Sequence, residues 1–282
     1  MMLGEDENES DPKAFNNKSV WARIAVVFAG PLFNFLLAMV LGIIIVHAVG
    51  FDSPTLTDVQ PGFSAEEQGM QAGDVITKLN HEPVVVYRDI TIYMMLHPSD
   101  PVDVEFKRLA ADGVTWEKHT VTLTPRYSDE NGRYMLGIVV SGRYTKAQGI
   151  GETLKYGIYE MVYSVKTTIK SLGMMIHGQV GRDDVAGPVR MVSMIDETVE
   201  ETIPYGMSAV ILTLVNLCML LSANLGVMNL LPIPALDGGR LVFLILEVLR
   251  GRPIDKEKEG MVHMAGMAAL MVLMVLVLFN DI

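Results

Sequence analysis

Three stretches of this chain carry no charged residue: 23 residues from Ile24 to Val46, 34 from Ile203 to Leu236 and 21 from Gly260 to Asn280. About 20 apolar residues in a helix cross the ~30 Å hydrocarbon core of a bilayer. Each stretch is long enough to do so. Of the 282 residues, 50% are hydrophobic and 20% charged, with a mean hydropathy of +0.33. A soluble domain usually carries about a quarter charged residues. The formal net charge of −11 argues against nucleic acid as a partner, because phosphate contacts need cations. Between the first two stretches lies polar, turn-rich sequence long enough for a folded domain. The expected fold is a polytopic α-helical membrane protein with an inserted small β-rich domain.

Basic residues mark the cytoplasmic ends of membrane spans. Lys13, Lys18 and Arg23 precede the first stretch, whereas Asp52 and Asp58 follow it. Arg240, Arg250, Arg252, Lys256 and Lys258 lie between the second and third, and Asp281 follows the last. The expected organisation is therefore a cytoplasmic segment over 1–22, a span over 23–49 and an extracytoplasmic domain over 52–127. An amphipathic linker region over 128–202 follows, then a broken span over 203–249, a cytoplasmic loop over 250–259 and a last span over 260–280. Within the linker, Gly187-Pro188 breaks one amphipathic helix (Ile150 to Gln179) from a second. The single cysteine, Cys218, lies inside the second stretch and permits no disulfide framework.

In the inserted domain, Val84 to Tyr87, Val102 to Phe106 and His119 to Leu123 read as strands, and Ala65 to Met70 and Asp89 to Leu96 as short helices. The run Gly69-Met70-Gln71-Ala72-Gly73-Asp74-Val75-Ile76 resembles the PDZ pattern, in which a glycine and an acid lead into a strand. Gly73 is free to adopt positive φ, and Asp74 to accept hydrogen bonds from nearby amides. PDZ domains bind extended peptides at a sheet edge. The domain is read either as a site for such a peptide ligand or as a spacer and steric screen.

The sharpest motif is Asn229-Leu230-Leu231-Pro232-Ile233-Pro234-Ala235-Leu236-Asp237-Gly238-Gly239. Two prolines one residue apart cannot continue a helix, so the second stretch must unwind here. Unwound backbone at membrane depth is tolerated only where protein buries it or a wet cavity receives it. An ionisable residue beside such a break is a functional-site candidate. Asp237 has two readings on spacing alone: a functional-site carboxylate, or the N-cap, at the cytoplasmic interface, of a helix from Gly238 to Leu249.

These residues resemble the site-2 protease family of intramembrane zinc metallopeptidases, in its bacterial branch with one PDZ domain. A second matching segment runs from Phe15-Asn16-Asn17-Lys18 through Arg23 to Gly30-Pro31-Leu32-Phe33-Asn34, and Gly187-Pro188 fits a further landmark. The resemblance implies that Asp237 is a zinc ligand and that Asn224, Asn229, Pro232 and Pro234 handle a substrate helix. It makes Gly30, Pro31, Asn34, Gly187, Pro188, Gly238 and Gly239 motif positions. It implies Zn2+ as cofactor, membrane lipids as surroundings, and transmembrane substrates such as anti-sigma factors or remnant signal peptides. The family also requires H-E-x-x-H, whose histidines bind zinc and whose glutamate is the general base. None of the six histidines begins that motif; His81-Glu82 is followed by Pro83 and has valine at the fourth place. His47 and His263 have no partner at ligand spacing and read as packing or interface residues. One aspartate cannot hold zinc, which takes three protein ligands in catalytic sites.

The expectation is accordingly the C-terminal part of a membrane-embedded zinc metalloprotease, inactive alone. The first twelve residues hold five acids and resemble an interior cytoplasmic loop, so an amino-terminal truncation is expected. The alternative is a non-catalytic membrane-tethered PDZ module or truncated pseudoprotease. A transporter with a broken helix is the third class, for which three spans leave little room and no inverted repeat is visible.

Overall fold

The structure is a computed structural model and describes residues 15–178, 187–252 and 254–281. It divides into two compact units: residues 1–45 with 160–282, and residues 46–159.

The first unit is helical. Its elements are α1 (Val20–Ala48), the later part of α4 (Gly149–Ile176), α5 (Pro188–Thr202), α6 (Met207–Leu230), α7 (Asp237–Arg250) and α8 (Lys256–Asp281). Among the described residues, three helices are long and apolar enough to cross a membrane: α1, α6 and the Glu257–Phe279 part of α8. Their large side chains point outward in number, as at Phe33, Leu225 and Leu273. Such a surface suits lipid rather than water. Inside, α1 and α6 meet at Ala38, Met219 and Ala223, all fully buried, with Met161 and Val165 of α4 against them. A Cβ on Gly226 would stand 2.6 Å from the Phe35 ring, so only glycine lets that ring seat on α6. Small residues at apolar helix contacts permit this close approach. Ser222 Oγ donates to the Asn34 carbonyl at 3.0 Å across the same contact.

The second unit is β-rich. A four-stranded antiparallel sheet has the order β3-β2-β4-β5, from β2 (Val75–Leu79), β3 (Glu82–Pro83), β4 (Val102–Leu109) and β5 (Trp116–Leu123). Strand β4 shows the period of two: Val102, Val104 and Phe106 face the core while Asp103 is exposed. Helices α2 (Ser64–Glu67) and α3 (Tyr87–Leu96) cover that face with Ala65, Ile90 and Tyr93. Asp74 is completely buried; it accepts the Gln71 N–H at 2.9 Å and both nitrogens of Arg108 at 2.7 Å. Gly73, with φ +93°, makes that turn.

Two sequence expectations change here. Val84 to Val86 form no strand, because the Val85 and Val86 amides donate to the Asp89 carboxylate and start α3 instead. The unit also continues past Tyr127: β6 (Arg126–Ser128) pairs with β7 (Arg133–Met135), and β8 (Ile138–Val140) pairs with β1 (Leu56–Val59). The Tyr159 hydroxyl then donates to Asp89 at 2.9 Å, and Tyr156 stacks on Phe51. Gln179, the expected end of the first amphipathic helix, and most of the 1–22 segment lie outside the described residues.

Candidate metal and substrate site

Helix α6 ends where its sequence forces it to. Leu231 still donates to the Met228 carbonyl, but Pro232 and Pro234 have no N–H to give. The chain runs unwound from Leu231 to Leu236 and re-enters helix at Asp237. Ala235 adopts φ +81°, in the left-handed region that costs a non-glycine residue ~1–3 kcal/mol. The two glycines that follow serve this turn. A Cβ on Gly238 would stand 2.2 Å from the Leu231 oxygen, and one on Gly239 2.5 Å from the Ile233 oxygen. The first turn of α7 thus packs directly on the carbonyls of the unwound segment.

Asp237 opens α7 but caps nothing. The N-cap position falls on Leu236, and no side-chain cap bond forms. The N-cap reading of Asp237 therefore fails. Its carboxylate is half-buried and has no hydrogen-bond or ion-pair partner among the described residues. It faces α1: a Cβ on Gly30 would lie 3.3 Å from Oδ2. Farther along the same two helices, Arg23 pairs with Glu247, both largely covered. The order of these contacts makes α1 and α7 antiparallel. Pro31 is buried in α1. Asn34, one turn beyond Gly30, lends its carbonyl to Ser222.

The remaining expected positions disperse. Asn224 is exposed on α6 and accepts from the Thr168 hydroxyl of α4. Asn229 is half-buried in the last turn of α6 and Pro232 is exposed. Pro234 is half-buried, with its Cβ 2.4 Å from where a Cβ on Gly266 of α8 would stand. Gly187 is the N-cap of α5 and Pro188 its first helical residue. His263, which the sequence marks as a packing or interface residue, accepts from the Ala235 amide at its Nδ1 at 2.9 Å. The small residues Gly266 and Ala269 near it were the available signal of a helix contact.

Among the described residues, no three His, Cys, Asp or Glu side chains gather as a metal site. Asp237 offers one oxygen donor of the kind zinc takes, whereas a catalytic zinc needs three protein ligands. The described residues alone do not fit a complete zinc site.

The β-rich unit has its own concavity, a groove of about 360 Å³ between α3 and the segment Arg133–Ile138. Tyr87, Ile90, Met94, Leu136 and Ile138 make it mainly apolar. Among the described residues, strand β8 is paired along one edge, to β1.

The family model of peptidase family M50 matches residues 1–273. A Clostridium acetobutylicum protein named as a candidate zinc metalloprotease is 37% identical over 281 residues, covering 100% of this chain and 78% of that protein. The zinc metalloprotease RasP of Geobacillus kaustophilus is 34% identical, over 96% of this chain and 61% of its own. The regulator of sigma-W protease RasP of Bacillus subtilis is 35% identical with the same coverages. The chain thus spans about three-fifths of the two RasP proteins. A solved PDZ domain of an SdrC-like protein from Listeria monocytogenes aligns with 32% of this chain and 90% of its own, at 17% identity and a TM-score of 0.28, too low to bear on the fold.

Proposed function

Because the chain belongs to peptidase family M50, we propose that it forms the Asp237-bearing part of a membrane-embedded zinc metalloprotease that cuts the transmembrane segments of single-span proteins. The observation that carries this reading is the Asp237 carboxylate. It is half-buried, lacks a partner among the described residues, and follows immediately on an unwound stretch of an apolar helix. Leaving such a group unpaired in an apolar setting is costly, which favours a role in binding.

In this reading Asp237 supplies one zinc ligand, and the others come from outside the described residues. The metal, when bound, supplies an activated water. The chain's own residues do the positioning. Gly30 leaves room for the carboxylate, Gly238 and Gly239 let α7 close on the turn, and Leu231–Leu236 presents backbone that no helix occupies. In this reading a substrate drawn out of helical form donates to carbonyls of that segment, because the segment's own amides are bonded to the Met228, Leu231 and Ile233 carbonyls and to His263. Pro232 and Pro234 lie within that segment, Asn229 precedes it, and Asn224 extends it toward α4.

The basic residues on either side of the spans put 1–22 and 250–259 in the cytoplasm and the β-rich unit outside, in a multi-pass arrangement. Anti-sigma factors and remnant signal peptides are the proposed substrate classes; a relative named as a regulator of sigma-W protease supports the first. The groove beside β8 is proposed to take an extended peptide with apolar side chains, by strand addition.

The test is cleavage of a membrane-anchored reporter by membranes that contain this chain together with an H-E-x-x-H span. Asp237→Ala is expected to reduce the rate at least about a hundredfold. An unchanged rate removes Asp237 from the site.

A further inference from the structure

We propose that α8 is more than a membrane anchor: His263 and Gly266 form the seat that holds the Pro234–Ala235 turn, and with it Asp237, in place. The functional half of this statement rests on the reading of Asp237 above; the structural half does not.

Along α8 most side chains are exposed, in keeping with a helix facing lipid. The less exposed positions are Glu259, His263, Gly266, Leu270 and Val277. They recur at spacings of four, three, four and seven, which is one face of a helix. That face meets the turn at two adjacent points. At Gly266, a Cβ would stand 2.4 Å from the Pro234 Cβ and 2.7 Å from the Pro234 oxygen, so the turn touches the α8 backbone itself. One turn away, His263 Nδ1 accepts the Ala235 N–H. Only an unprotonated Nδ1 accepts, so the ring proton sits on Nε2. The ring is enclosed: Nε2 is buried, and the Phe243 ring of α7 lies 5.7 Å away, centroid to centroid.

The bond falls where it matters. Ala235 is the residue held at φ +81°, and a strained conformation persists only if its surroundings fix it. Pro232 and Pro234 have removed the helix's own means of fixing this stretch, since neither has an amide to donate. Ala235 has one, and His263 takes it. Two residues later comes Asp237. Release of the Ala235 amide frees the turn to relax, and the carboxylate moves with it. His263 is thus a positioning residue, acting through backbone rather than on any reacting atom.

Hydrogen–deuterium exchange on this chain in detergent micelles tests the seat without requiring proteolysis. The Ala235 amide is read relative to amides in the middle of α6, which report opening of the helical unit as a whole. His263→Phe keeps a ring but has no acceptor; His263→Asn puts an acceptor where Nδ1 stood but loses the ring. Exchange at Ala235 is expected to rise about tenfold in His263→Phe and in Gly266→Leu, and to stay within about twofold of wild type in His263→Asn. Wild-type protection in His263→Phe, or equal loss in both histidine variants, overturns the proposal. In the cleavage assay, His263→Phe is expected to lower kcat at unchanged KM, with recovery in His263→Asn. If Asp237→Ala cleaves normally while the exchange pattern holds, the seat stands and the catalytic reading falls.

Discussion

Gly30 of α1 and Asp237 of α7 face each other so closely that a Cβ on the glycine would stand 3.3 Å from the carboxylate Oδ2. This contact sets the place of the one metal-ligand candidate in the helical unit. Gly30→Ala requires a shift of only a few tenths of an ångström and is expected to leave most of the activity. Gly30→Leu pushes the carboxylate away, and a misplacement of about 1 Å at a reacting centre costs about a hundredfold in rate. Reporter cleavage by the two variants measures this. Equal activity in both places Asp237 elsewhere.

Gly239 predicts a stability difference inside the same motif. A Cβ there meets the Ile233 oxygen at 2.5 Å, whereas one on Gly260 of α8 meets nothing within 4 Å. Gly239→Ala is expected to destabilise by roughly 1–3 kcal/mol through overpacking. Gly260→Ala is expected to stabilise by up to about 1 kcal/mol, the helix preference of alanine over glycine. Unfolding of the two variants in the same detergent gives the comparison; a Gly239→Ala as stable as wild type contradicts the close approach.

In the β-rich unit, Arg108 is the cation that makes a fully buried Asp74 tolerable. The hydrogen bonds that it donates to Asp74 hold the Arg108 guanidinium above its ordinary pKa. Arg108→Met strands the carboxylate and is expected to cost about 3 kcal/mol, the low end for breaking a buried pair because the guanidinium is partly solvated. Asp74→Asn together with Arg108→Met is expected to recover part of that loss in urea unfolding. No recovery means that the two do not act as a pair.

How much of this was visible beforehand differs between the two units. The helix break was legible because proline's missing N–H acts locally, within four residues of Pro232 and Pro234. The short strands after Tyr127 were not, because β8 finds its partner β1 about 80 residues away and each strand is only three or four residues long. Val84 to Val86 look like a strand until Asp89, three residues beyond Val86, takes the Val85 and Val86 amides. The role of His263 left only the small residues Gly266 and Ala269 beside it as a local sign, since its partner is a backbone N–H 28 residues distant. Asp237 stood out from the motif, but its freedom from capping appears only in the geometry of Leu236.

Asp112 predicts a pH response outside the membrane. The Thr115 hydroxyl, then the Thr115 and Val114 amides, hold its carboxyl down at about 2 against an ordinary 3.8. A group with a depressed folded pKa stabilises above its unfolded pKa and loses that contribution as pH falls through the folded one. The β4–β5 turn is therefore expected to be held at pH 4 and above and released as pH falls toward 2. NMR titration of Asp112 is expected to show a midpoint near 2 that rises toward 3.8 in Thr115→Ala. An unchanged midpoint rules out the hydroxyl as the main cause.

Equilibrium zinc binding decides whether Asp237 is a zinc ligand. With an H-E-x-x-H span present, the protein is expected to bind one zinc ion, and Asp237→Ala to lower the affinity at least about tenfold, while the helical unit stays folded by exchange of its mid-α6 amides. Wild-type zinc affinity in Asp237→Ala removes the carboxylate from the metal's ligands.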